Sequence, residues 1–325
     1  MSLHTLFRRL SRTLVSATFC LSAGAWAQGA AVHLLVGFPP GGGTDAIART
    51  LADKLKDVLG HPVVVENRAG AGGQIAAQAL KAAAADGNTV YFTHDHAISI
   101  LPQVVKNPGY EPSKDFVPVA GIATFVNAFA VSGGTPANSM TNYLAWVRKQ
   151  GAGHGNVGVP APASVPEFLV KVMAQKYALD LQAAPYRGSA PMMGDMLGNQ
   201  IGAGVASVPD FIENHRAGKL RVVAVMGNSR QSLLPDVPTF AELGLPGFEE
   251  VAYYGIFAPA GTPRAAIERL SDAVAKVIAM PDVKERLSGM GLNVGFMNAQ
   301  QLGKREQAYT QVWSKIIKSS GFVAQ

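Results

Sequence analysis

The run Phe38-Pro39-Pro40-Gly41-Gly42-Gly43-Thr44-Asp45 is the stretch whose residue types could most readily do chemistry. Three glycines before a helical pattern let the backbone come close to a ligand and leave N–H groups unpaired. The dipole of the following helix adds partial positive charge at the same place, so the loop suits an anion. A tight structural turn is the plain alternative. The loop lacks a Gly-Lys-Ser/Thr ending, which removes the lysine and the hydroxyl that a nucleotide phosphate and its magnesium would need. A second small-residue loop, Pro160-Ala161-Pro162-Ala163-Ser164, runs into Val165-Pro166-Glu167. There Ser164 and Glu167 have capping-box spacing. A ligand contact and a plain cap fit Glu167 equally.

Other chemistry is weaker. Gly70-Ala71-Gly72-Gly73-Gln74-Ile75 looks like a dinucleotide fingerprint, but Ile75 stands where a third small residue is required. The better reading is a glycine-rich turn, carrying Ala71, that lines a pocket. His94-Asp95-His96 would put two imidazoles on one side of a strand, as a metal pair could. No third ligand lies nearby, so a cleft-lining polar turn is favoured, with His94 at the cleft. Arg187 could pair with a ligand carboxylate or simply sit on a solvated loop. There is no Gly-x-Ser-x-Gly elbow and no His-Glu-x-x-His. The chemistry these residues offer is binding rather than bond-making, and no cofactor is called for.

The elements that must position these residues follow from periodicity. Val32 to Val36 is an apolar strand. Ile47, Leu51 and Leu55 then fall on one helical face, with Thr44 as the expected N-cap. The same strand–loop–helix pattern recurs at 157–177 and at 184–197. Ser207 caps a further helix with Asp210 in its first turn. Strands are expected at 89–93, 116–131 with a break at Gly121, 220–225 and 251–258. Helices are expected at 141–149, after Thr262-Pro263, and around Tyr309 and Trp313. Alternation of this kind predicts an α/β fold with mostly parallel sheet. No flexible linker separates two parts, so strands at 122–131 and 251–258 are expected to cross between lobes.

The start of the chain reads as a secretory leader. Arg8, Arg9 and Arg12 precede a short apolar core and Ala25-Trp26-Ala27, which predicts cleavage before Gln28. Cys20, the single cysteine, would leave with it. So would three of the charges behind the net +6, leaving +3. No basic run suggests nucleic acid. The remaining 28–325 are more than one core usually supports, which predicts two domains.

Five ordered segments together resemble the Bug family, the TctC-like periplasmic receptors of tripartite tricarboxylate transporters. They are Phe38–Asp45, Val65–Gly73, Ala184–Pro191, Leu234–Gly244 and Phe257–Pro263. The resemblance implies a two-lobed type II periplasmic-binding fold that closes on a small organic acid, with two crossing strands as hinge. Residues 28–126 plus 251–325 would form one lobe and 127–250 the other. It implies that Phe38, Gly41, Gly42, Thr44 and Asp45 belong to the first binding loop, and Ala163, Ser164 and Val165 to the facing one. With Ala71, His94, Arg187 and Ser207 these complete the expected ligand-binding set. Glu167 stands where the family usually has His. Partners would be membrane permease subunits, the location the periplasm and the state a monomer. A ligand sensor for a signalling partner and a metal-dependent enzyme using His94, Asp95 and His96 are the alternatives.

Overall fold

The computed structural model describes residues 30–151, 154–319 and 322–324. The expected leader, with Cys20, lies outside the described residues. Among the described residues no helix is long and apolar enough to cross a membrane.

Two sheets organise the chain. The first has six strands in the order β11-β4-β10-β3-β1-β2 and the second five, in the order β7-β6-β8-β5-β9. In the first, β1 (Val32–Val36) pairs in parallel with β2 (Val63–Asn67) and β3 (Thr89–His94). Strand β10 (Ala252–Pro259) then runs antiparallel to both β3 and β4 (Phe116–Phe125), and β11 (Asn293–Asn298) closes the edge on β4. In the second, β6 (Asn156–Val159) pairs in parallel with β7 (Gln182–Pro185) and β8 (Ala203–Ser207). There β5 (Asn127–Ser132) lies antiparallel to both β8 and β9 (Leu220–Val225). The expectation of mostly parallel sheet is therefore corrected. In each sheet one strand that arrives from the other lobe, β10 or β5, runs opposite to its two neighbours, and in the first sheet the edge strand β11 adds a further antiparallel pair on β4.

The expected long strand over 116–131 is two strands, and it breaks at Val126 rather than at Gly121. Val126 is the single residue between β4 in one sheet and β5 in the other. Gly121 lies inside β4, where a register irregularity brings it opposite Gly255. The return crossing lies before β10, not within it, because β9 ends at Val225 and β10 begins at Ala252.

Helices cover the sheets. They are α1 (Gly43–Leu59), α2 (Gln74–Lys81), α3 (Met140–Gln150), α4 (Val165–Tyr177) and α5 (Ser189–Leu197). After them come α6 (Val208–Arg216), α7 (Arg264–Ala279), α8 (Pro281–Gly289) and α9 (Ala299–Ser319). Helix α1 buries Ile47, Leu51 and Leu55, its apolar stripe. Each such side chain contributes about 1.5–3 kcal/mol. The fold is α/β and two-lobed, with one cleft between the sheets.

Candidate functional site

The first loop is held from behind by Asp45. Its buried carboxylate accepts from Gly41 N–H at 3.0 Å, Asn67 Nδ2 at 2.9 Å and Arg49 Nε at 3.0 Å. Burial alone would raise its pKa, but hydrogen bonds from Arg49, Asn67 and Gly41 outweigh that and hold it below the ordinary carboxylate value. Asn67 also donates to the Phe38 carbonyl at 3.0 Å. Gly41 sits at φ +88°, which glycine adopts without strain. The N-cap of α1 is Gly42, not Thr44. Asp210 accepts from the first helical N–H, that of Gly43, so a threonine hydroxyl is not needed there. Thr44 instead places its hydroxyl 3.3 Å from that of Tyr254.

The second loop is organised locally. Ser164 Oγ accepts from Glu167 N–H at 3.4 Å and donates to the Ala161 carbonyl at 2.7 Å. Glu167 Oε2 accepts from Ala163 N–H at 2.7 Å, and Oε1 pairs with Lys171 at 2.9 Å. Glu167 is thus a cap. Ala163 has φ +49°, a left-handed conformation costing about 1–2 kcal/mol in a residue with a Cβ.

Between the loops lies a cavity of about 50 Å³. The N-termini of α1, α4, α5 and α6 all reach it, at Gly42, Ser164, Ser189 and Ser207. Each brings roughly half a positive charge. Among the described residues the N–H groups of Gly42, Thr44, Ala161, Ser164 and Val165 have no protein acceptor. Aromatic rings make one wall. Phe38 stacks on His94 with centroids 4.9 Å apart, and His94 stands edge-on to Phe125 at 5.9 Å and Tyr254 at 5.6 Å. Among the described residues no lysine or arginine lines the cavity.

The lobes touch across the cleft. Asp210, in the first turn of α6, accepts from Gly43 N–H of the other lobe at 2.8 Å. It also accepts from Ser189 Oγ at 2.5 Å, Ser207 Oγ at 2.5 Å and Ser207 N–H at 3.2 Å. A Cβ built on Gly42 would lie 2.8 Å from Ser189 Oγ, so this approach requires glycine.

Of the expected set, Phe38, Gly42, Thr44, His94, Ser164, Val165 and Ser207 line the cavity. Gly41 and Asp45 stand behind the first loop, and Ala163 behind the second. Ala71 opens the turn whose next residue, Gly72, packs on His96. Arg187 is exposed and outside the cavity. His94 and His96 do not share a strand, because β3 ends at His94 and a π-helical turn begins at His96. Among the described residues no three His, Cys, Asp or Glu groups converge as metal ligands. His96 is buried and its Nδ1 has no partner. Burial, then the neighbouring His94, pushes its pKa down to about 4. Asp95 accepts from Tyr309 Oη at 2.8 Å.

Sequence reading did not single out Asp210, Ser189, Asn127 or Tyr254 as cavity residues. Asp210 was visible only as a first-turn acid three residues after Ser207. Asn127, Ser189 and Tyr254 reach the cavity through tertiary packing alone.

Comparisons with known proteins agree with this fold. Residues 47–322 match the model of the tripartite tricarboxylate transporter family receptor. A protein from the tcbD-tcbE intergenic region of Pseudomonas sp. (strain P51) is 33% identical over 287 residues, 87% of this chain and 84% of that one. The solved periplasmic binding protein BugD superposes with a TM-score of 0.85 at 30% identity, covering 91% of this chain and 99% of its own. Rpa4515 of R. palustris, solved with adipate, has a TM-score of 0.85 at 29% identity, covering 92% and 99%.

Proposed function

This chain belongs to the tripartite tricarboxylate transporter family of receptors, and from that premise we propose that it captures a small organic acid between its lobes in the periplasm. It is a solute-binding protein and not an enzyme. The observation that carries the ligand class is the convergence of four helix N-termini on one cavity, two of them, α1 and α4, with unpaired N–H groups. The adipate held by a neighbour of the same fold supports the same class. One lobe comprises 28–126 plus 251–325 and the other 127–250. The filled receptor hands its acid to permease subunits, and it works as a monomer.

In this reading the carboxylate meets the N–H groups of Gly42 and Thr44, with Ser164 and Val165 closing from the opposite lobe. Asn127 adds a buried amide to the wall. Phe38, His94, Phe125 and Tyr254 hold the carbon skeleton away from water. The test is thermal denaturation of residues 28–325 with a panel of carboxylates. A true ligand at 100 times its Kd adds about 2.7 kcal/mol, a rise of several degrees. No rise with any carboxylate overturns the reading.

A further inference from the structure

We infer that Asp210 stands in for one carboxylate of the ligand, so that this receptor selects acids with a single carboxylate and an apolar body over dicarboxylates. The inference rests on the carboxylate-binding reading above and narrows it.

A carboxylate offers about four acceptor positions. All of Asp210's are taken. Oδ1 receives Gly43 N–H and Ser189 Oγ, and Oδ2 receives Ser207 N–H and Ser207 Oγ. These donors belong to the N-termini of α1, α5 and α6. They are the groups that would otherwise hold an external anion at the meeting of the two lobes. Asp210 lines the cavity at this point, and its Oδ1 would lie 3.9 Å from a Cβ on Gly42. Three of the four anion-binding helix ends are therefore engaged by the protein's own side chain. The N–H groups of Gly42 and Thr44, and the end of α4 at Ser164 and Val165, are left for a ligand.

The rest of the wall points the same way. Among the described residues a second ligand carboxylate would meet no lysine or arginine in the cavity wall. It would meet the like-charged side chain of Asp210, with Asp95 also among the lining residues. In a small, partly dehydrated space such a contact is repulsive and poorly screened. An apolar or aromatic tail finds Phe38, His94, Phe125 and Tyr254 instead. Discrimination by a resident like charge can exceed what an added attractive contact supplies.

Matched pairs of acids test this. Calorimetric titration of residues 28–325 compares hexanoate with adipate, and benzoate with terephthalate. The expected result is that each monocarboxylate binds at least tenfold tighter than its partner. In Asp210→Asn and Asp210→Ser the ratio of dicarboxylate to monocarboxylate affinity rises at least tenfold. Equal or tighter binding of dicarboxylates by the unaltered protein overturns the inference and leaves the carboxylate reading standing. An unchanged ratio in a folded variant also overturns the role of Asp210. If neither class binds, both readings fall together. The comparison on the unaltered protein needs no variant to fold.

Discussion

The two loops that face each other across the cleft reach the same end by different means. Each follows a strand, passes through prolines and opens a helix with unpaired N–H groups. Both have a carboxylate four positions on, Asp45 for Gly41 and Glu167 for Ala163, but the first is braced from a distance as well: Asn67 secures Asp45, and Asp210 reaches over from the other lobe. The second is braced by its own neighbours, Ser164 and Glu167, and by Pro160, Pro162 and Pro166. Prolines fix φ and remove donors, so this loop is stiff before the lobes meet. The first loop therefore owes its shape to tertiary structure and to closure, whereas the second brings its shape with it.

The sharpest way to break that contrast is to remove the carboxylate that Asn67 secures. Asp45→Ala leaves Gly41 N–H, Asn67 and Arg49 without their acceptor. It is expected to cost about 4 kcal/mol of stability by urea denaturation. A loss below 1 kcal/mol would mean the first loop holds itself. Next comes His96, buried in the cavity wall. The folded pKa of His96 is about 4, below its unfolded value of about 6.5. Between these values the unfolded chain binds more protons, so stability is full above pH 6.5 and is lost as pH falls toward 4. The loss is about 3 kcal/mol. His96→Gln should flatten stability across this window; an unchanged slope would assign it to other groups.

Closure is probed by Gly42→Val. Gly42 has φ −83°, so the backbone accepts the change, but the new side chain meets Ser189. Ligand affinity should drop about 100-fold, near 2.7 kcal/mol, with the melting temperature of the unliganded protein little altered. Retained affinity would show that the lobes need not approach so closely. The smallest effect belongs to the second loop. Glu167→Ala removes a local cap and is expected to cost about 1 kcal/mol with less than threefold change in affinity. A cost matching that of Asp45→Ala would erase the difference between the loops.

How much of this could be read from the chain follows the same division. Helix α4, Val165–Tyr177, was legible to the residue because Ser164 caps it within four positions. The strand–loop–helix units around 36–43 and 159–165 were equally plain. Strand β11 was not expected, because it is an edge strand whose residues are largely exposed and carry no apolar alternation. The direction of β10 depends on its returning from the other lobe, which no local pattern encodes. At the site, the caps and the glycine loop stood out in the sequence. The contact between Asp210 and Gly43 joins residues 167 positions apart, and Tyr254 and Thr44 are 210 apart. Local chemistry announces a cap; it does not announce whose backbone a carboxylate will also reach.

The bond from Gly43 N–H to Asp210 has one more consequence. It ties the two lobes together through a carboxylate of the protein's own, so part of the free energy of closure comes from this contact and not from a ligand. A partner that felt only the outline of the receptor would accept empty deliveries as readily as full ones. Faithful delivery then requires the acid to add stability of its own to the shut form, and the margin it adds sets the ratio of cargo to blanks.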